Sequence, residues 1–256
     1  MTSPSQAGGP TTLGIDVGGG SVKGALLDAN AQPLGDVVRV PVTYPCPPDA
    51  MVGYVEQIAA GAGAKPDRVG LGFPGIVRGG RILTAPHFVT TSGPGSPFDD
   101  ALVTAWDGFD LAGAVEGFVG APVRAANDAD VQGLSVVQGR GVELVITLGT
   151  GLGTALFQNG TLGPHLELSH HPFRDGESYN EQVGERARER IGDDAWRERV
   201  VLAVRTLRAL TLYDTLYIGG GNSARLGPDF AEAATVVDNI NGIEGCVRLW
   251  EQPHLA

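Results

Sequence analysis

The chain has 256 residues, 42% of them hydrophobic and 18% charged, which suits one large domain or two small lobes around a substantial core. Its 29 acidic and 18 basic residues leave a formal charge of −11, a surface that repels nucleic acid and anionic membrane but leaves room for a local phosphate pocket. No apolar run reaches the roughly 18 residues a membrane span needs, and the polar Met1–Pro10 has no basic start or apolar stretch of a signal peptide, so a cytoplasmic protein is expected.

Residues 1–12 read as a disordered Ser/Pro/Gly-rich tail, and structure is expected from Leu13. Leu13–Val17 is a short apolar run that stops at Gly18-Gly19-Gly20. Ser21–Asp28 then resumes a strand pattern, so strand, glycine turn and strand make a hairpin. Ala50–Ala62 has helical spacing, and Val69–Phe73 is a strand that ends at Pro74-Gly75. Residues 79–110 are mixed, with an exposed loop over Ser92–Pro97. A helix over Leu111–Val119, a strand over Pro122–Ala126 and a helix over Ala129–Gln138 follow. Leu144–Leu148, Gly149-Thr150-Gly151 and Thr154–Phe157 form a second glycine hairpin. Helices are expected over Glu181–Arg190 and Ala195–Leu210, then a strand over Thr215–Ile218 that runs into Gly219-Gly220-Gly221. Ile243–Trp250 closes the chain as a short helix.

The alternation of strands and helices predicts an α/β architecture. The two glycine hairpins, about 130 residues apart, predict two related lobes that each turn a phosphate-binding loop toward a shared cleft. The expected division is 13–123 for the N-terminal lobe, 124–240 for the C-terminal lobe and 241–256 for a last helix and tail. No P-loop string is present. Gly149-Thr-Gly-Leu-Gly has neither the spacing of the dinucleotide fingerprint nor a helix after it. What remains is a hairpin whose backbone N–H groups form a nest for phosphate oxygens, with glycine clearing the approach. Cys46 and Cys246 stand in no metal spacing, so no zinc site is expected; a disulfide stays open, and a reducing cytosol is simpler.

Six motifs occur in order: Asp16-Val-Gly-Gly-Gly-Ser-Val-Lys23-Gly-Ala, Gly72-Phe-Pro-Gly75, Asn127-Asp-Ala-Asp130, Thr147-Leu-Gly-Thr-Gly-Leu-Gly-Thr154, Glu167-Leu-Ser-His170 and Ile218-Gly-Gly-Gly-Asn222. Together, from about Leu13 to Leu249, they resemble the ROK family of sugar kinases, and within it the polyphosphate glucokinase branch, which lacks the family's Cys-rich zinc motif. The resemblance implies an actin-like ATPase (ribonuclease H-like) two-lobed fold with a central cleft. It implies phosphoryl transfer from polyphosphate or ATP to the 6-hydroxyl of glucose or a similar sugar, with magnesium. Both substrates are small molecules, and relatives often pair as homodimers, though no segment here marks an interface.

Residue by residue, the resemblance makes Asp128 the general base; as a bare pattern, Asn127-Asp128 before Ala129 also reads as a helix N-cap. Asp16 would lie by the phosphates through magnesium or water. Gly18, Gly19, Gly20, Ser21 and Lys23 would form the first phosphate turn, and Gly149, Thr150 and Gly151 the second. Gly219, Gly220 and Gly221 would flank the nucleotide. Glu167 and His170, with Asn127 and Asp128, would hold sugar hydroxyls, a task a carboxylate and an imidazole can share. Three positions depart from the family pattern: Ser169 replaces a glycine, Gly20 replaces a threonine, and His87 stands where an asparagine touches the sugar. An insertion-like stretch, 89–104, follows His87.

Seven arginines between Arg186 and Arg208 read either as a track for a long polyanion or, with the acids interleaved among them, as a solvated face. A sugar-binding relative with weak or no catalysis is the competing function. A DNA-binding repressor of the same family would need a further N-terminal domain and a different charge.

Overall fold

The computed structural model describes residues 9–227, 230, 234–237 and 242–252. Two compact units emerge: residues 1–131 with 242–256, and residues 132–241.

In the first unit, β1 (Thr12–Val17) and β2 (Ser21–Leu27) form the antiparallel hairpin around Gly18–Gly20. β3 (Val38–Pro41) continues it on the outer edge. Beyond α1 (Pro48–Gly61), β4 (Arg68–Phe73) lies parallel to β1. A small hairpin of β5 (Val77–Arg78) and β6 (Arg81–Ile82), α2 (Asp100–Trp106) and α3 (Leu111–Val119) follow. β7 (Val123–Asn127) then joins β4 in parallel, giving the order β3-β2-β1-β4-β7. α4 (Asp128–Leu134) leaves directly from its end.

β1 and β4 are apolar almost throughout because both faces of this sheet are covered. Successive residues point to opposite faces. Gly24 faces Ile58 of α1, whereas Gly14 and Gly70 face the final helix, α8 (Gly242–Arg248). A Cβ on Gly70 would sit 2.5 Å from the Cys246 carbonyl oxygen, so glycine lets the helix backbone rest on the strand. Both cysteine thiols are buried and free, and burial pushes Cys46 up to about 11 and Cys246 to about 12.

The second unit repeats the plan. β8 (Val142–Leu148), β9 (Leu152–Gln158) and β10 (Thr161–Leu162) run antiparallel in sequence. The small hairpin of β11 (Pro172–Arg174) and β12 (Glu177–Ser178) leads into α5 (Tyr179–Val183), α6 (Glu185–Ile191) and α7 (Asp193–Thr211). β13 (Thr215–Gly219) and β14 (Thr235–Val236) add in parallel beside β8, giving β10-β9-β8-β13-β14. Each sheet is therefore three antiparallel strands followed by two parallel ones, with the glycine turn between its second and third strands. Trp196, Val200, Ala203 and Leu207 of α7 bury one face of the second sheet against Leu144, Ile146, Leu216 and Ile218.

Some boundaries differ from the sequence expectation for identifiable reasons. Thr12 opens β1, because Thr11 is tied to Asp67 through its backbone N–H and its hydroxyl, each at 2.8 Å. Residues 1–8 of the expected tail lie outside the described residues, as do 238–241 at the expected lobe boundary and 253–256 at the end. The mixed region 79–110 contains α2, capped by the Asp99 carboxylate accepting from the N–H groups of Ala101 and Leu102. The single helix expected over Glu181–Arg190 is two, broken at Gly184. The helix expected over Ala129–Gln138 runs from Asp128 to Leu134, and the last helix is followed by a 3-10 turn at Leu249–Glu251. Among the described residues no helix is long and apolar enough to cross a membrane.

Candidate functional site

The first sheet gathers several of the expected residues at the carboxyl ends of its parallel strands, where open α/β sheets commonly bind ligands. Asp16 on β1 is in register with Gly72 on β4, and Gly72 with Ala126 on β7, so Asp128 follows two residues beyond that row. The Asn127 side chain is buried and donates to the Gly75 carbonyl oxygen at 3.0 Å, which ties the end of β7 to the Gly72-Phe-Pro-Gly75 turn. Its Oδ1 accepts from the Ala129 N–H at 2.8 Å, so Asn127 caps α4. Asp128 Oδ1 also accepts from Ala129, at 2.9 Å, and the half-buried Asp128 is the first residue of the helix.

On the other side of Asp16 stand cations. Asp16, Lys23 and Arg39 form a row across β1, β2 and β3. Lys23 Nζ lies 3.8 Å from Asp16 Oδ2, and Arg39 donates to the Ser21 hydroxyl at 2.9 Å. Burial pushes the Asp16 carboxyl above its ordinary value, while Lys23 and Arg39 pull it back. The glycine turn beside it is closed by Gly18 N–H donating to the Ser21 carbonyl oxygen at 3.0 Å. His87, expected near a sugar, lies against this turn. A Cβ on Gly19 would come within 2.9 Å of His87 Nδ1 and 3.1 Å of Pro94, which belongs to the 89–104 stretch.

The second unit holds the other residues. The Gly149–Gly151 turn is fixed by three neighbours. Asn180 Oδ1 accepts from the Leu152 N–H at 2.7 Å, Glu185 N–H donates to the Gly149 carbonyl oxygen at 3.0 Å, and Asn222 Nδ2 donates to that same oxygen at 3.3 Å. β13 pairs with β8 so that Gly219 lies opposite Thr147, which brings the Gly219–Gly221 turn beside the second hairpin. Gly220 has φ +90, and its missing side chain leaves room for the Leu148 backbone.

Glu167 and His170 sit at a short 3-10 turn, Leu168–His170, with His170 exposed. Glu167 is bound on both oxygens: His165 Nε2 is 3.3 Å from Oε1, and the Ser169 hydroxyl donates to Oε2 at 3.0 Å. Burial alone would raise its carboxyl. The bonds from His165 and Ser169, with the nearby His170, overcome that and hold it below the ordinary 4.5. Ser169 therefore supports Glu167 at the position where the family pattern has glycine.

Sequence reasoning missed Arg39, Asn180 and His165. Arg39 lies in β3 and Asn180 in α5, elements with no motif of their own. His165 does carry a signal, as a histidine two residues before a motif glutamate. The arginines of α6 and α7 are largely engaged: Arg188 with Glu185 and Asp193, Arg197 with Asp194, Arg190 with Glu177. Arg208 lies over the Tyr213 ring. Among the described residues no group of three or more His, Cys, Asp or Glu side chains could hold a metal by itself.

The model of the ROK family matches residues 12–173, a span that runs from the first hairpin past His170. The chain belongs to the ROK family. It is 30% identical over 234 residues to a polyphosphate glucokinase of Mycobacterium tuberculosis (strain ATCC 25618 / H37Rv), an alignment that covers 86% of this chain and 82% of that protein. Among solved structures it is similar to an inorganic polyphosphate/ATP-glucomannokinase from Arthrobacter sp. strain KM. That match has 28% identity and a TM-score of 0.77, and covers 94% and 97% of the two chains. A ROK family glucokinase from Streptomyces griseus, solved with glucose and AMPPNP, matches at 21% identity and a TM-score of 0.69 over 94% and 98% of the chains. The fold of this ROK protein is the actin-like ATPase fold, as the sequence led one to expect.

Proposed function

We propose that this ROK protein is a cytoplasmic hexose kinase that transfers the terminal phosphoryl group of polyphosphate or ATP to the 6-hydroxyl of glucose or a similar sugar. The polyphosphate glucokinase and the polyphosphate/ATP-glucomannokinase support the sugar phosphotransferase class. The observation that carries the reading is the first sheet. One row of registered strands sets Asp128, Asp16 and a glycine turn flanked by Lys23 and Arg39 along a single edge.

In this reading the Asp128 carboxylate takes the proton of the 6-hydroxyl as its oxygen attacks the terminal phosphorus, and ADP or a polyphosphate one unit shorter leaves. Asn127 fixes the backbone at Asp128 through Gly75 and Ala129. Lys23, Arg39 and the amides of Gly19 and Gly20 answer the phosphate charge, and Gly149–Gly151 and Gly219–Gly221 hold the rest of the phosphoryl donor. Glu167 and His170, with His87, contact sugar hydroxyls. The residues suit magnesium held mainly by the donor's own phosphates, since Asp16 is the lone carboxylate of the β1–β2–β3 row and, among the described residues, no cluster of three or more metal-ligating side chains accompanies it. Such an ion would neutralise charge on the phosphate oxygens beside Asp16.

A coupled assay for glucose 6-phosphate with magnesium, comparing ATP with polyphosphate, tests this. Asp128→Asn should bind sugar as before and lose turnover by about 10²–10⁴-fold. Undiminished turnover would remove Asp128 from the chemistry.

The second reading, a sugar-binding protein with little catalysis, draws on Glu167, whose two oxygens are both engaged by His165 and Ser169. It predicts glucose binding by calorimetry without turnover on either donor.

A further inference from the structure

The Gly18–Gly20 turn is fastened from outside by a residue that no motif contains. Tyr44 follows β3 and lies in the segment that leads to α1. Its hydroxyl donates to the Gly19 carbonyl oxygen at 2.7 Å, and its ring stacks on Phe88 at 6.3 Å between centroids. The Gly20 carbonyl oxygen accepts from the Val42 N–H at 3.1 Å, and the Gly18 N–H is spent on Ser21. Both carbonyls are thus tied to the 42–44 segment, while His87 and Pro94 lie against the Cα of Gly19.

This wiring fixes the direction of an amide. A trans peptide is planar, with its C=O and N–H pointing to opposite sides. Holding the Gly19 carbonyl toward Tyr44 therefore aims the Gly20 N–H the other way. Gly20 is exposed there, and a Cβ built on it would meet nothing within 4 Å. Among the described residues no group accepts from the N–H of Gly19 or Gly20. Three glycines in a row have wide conformational freedom, so without an outside tie the turn would sample many peptide orientations.

We propose that Tyr44 is a positioning residue for the phosphoryl donor: its hydroxyl, by holding the Gly19 carbonyl, keeps the Gly20 amide turned out to a phosphate oxygen. The inference rests on the kinase reading above. Tyr44 touches neither substrate; it acts through the turn.

The test is Tyr44→Phe, which keeps the ring on Phe88 and removes only the hydroxyl. The control is Tyr54→Phe, which removes a nearby hydroxyl bonded to Thr43 (2.6 Å) rather than to the turn. KM for ATP and for polyphosphate, KM for sugar, kcat and melting temperature are measured for both variants and for the unaltered protein. Loss of one neutral hydrogen bond corresponds to about a 2- to 12-fold rise in phosphoryl-donor KM. That rise is expected for Tyr44→Phe alone, with sugar KM unchanged and the melting temperature within a few degrees. An unchanged phosphoryl-donor KM overturns the inference, whether or not the melting temperature falls, since Tyr44 would then serve packing only. Equal rises in both KM values overturn it too. Absence of sugar phosphorylation in the unaltered protein would be a different failure, that of the kinase reading itself.

Discussion

Glu167 has a part in the fold beside the sugar-binding role proposed for it. It is partly buried, and its carboxyl is held below 4.5 by His165, Ser169 and His170 against the upward push of burial. A carboxyl depressed in the folded state contributes stability above its unfolded value, and that contribution is lost as pH falls through the folded value. Melting temperature should therefore drop as pH goes from neutrality through 4.5 and below, and Glu167→Gln should flatten that part of the profile. An identical acid limb in the variant would move the titration to another group. At this scale the sequence was most informative where a residue type has few alternative uses. Motif order alone singled out Asp16, Asn127-Asp128 and Glu167. Their partners were not, because Arg39, Asn180 and Tyr44 reach the turns through tertiary contacts that leave no periodic or spacing signal.

At the level of elements, the strands and their glycine turns were easier to read than the helices. Strand β1 and strand β4 announce themselves as apolar runs that stop at glycine, and the helix over Leu111–Val119 is found as expected. Helix α2 was missed because its short apolar stretch follows a Gly/Ser/Pro loop, although Asp99 is a ready cap. The break at Gly184 was missed because its cause lies elsewhere in the chain. A Cβ on Gly184 would sit 2.7 Å from the Thr150 carbonyl oxygen and 2.6 Å from that of Asn180, so α5 and α6 meet at the one residue that lets them approach the second turn. Gly184→Ala should thus destabilise the protein by about 1–3 kcal/mol through overpacking and raise KM for the phosphoryl donor by displacing Thr150. Calorimetric melting and steady-state kinetics on the same preparation check both effects. A variant unchanged in each would show that the turn has slack the geometry does not suggest.

For the molecule as a whole, charge sets the terms on which a polyanion is met. The formal charge is −11, and several of the arginines between Arg186 and Arg208 are already paired with acids. Long-range repulsion should then slow capture of polyphosphate, and salt should relieve it, since the screening length falls to about 10 Å at 0.1 M ionic strength. kcat/KM for polyphosphate is expected to rise with moderate salt at constant free magnesium. A steep fall instead would mean that a cationic track guides the polymer, the other reading of those arginines.

Helix α8 carries a consequence for the way the protein is made. It covers the Gly14 and Gly70 face of the first sheet, yet it is translated after all of residues 132–241. The second unit is one unbroken stretch of the chain, and domains generally fold as units during synthesis. The first sheet must wait with a strip of bare backbone until residues 242–252 are released. Nascent chains stalled short of that point would expose this strip, which makes it the surface on which a chaperone would be expected to act.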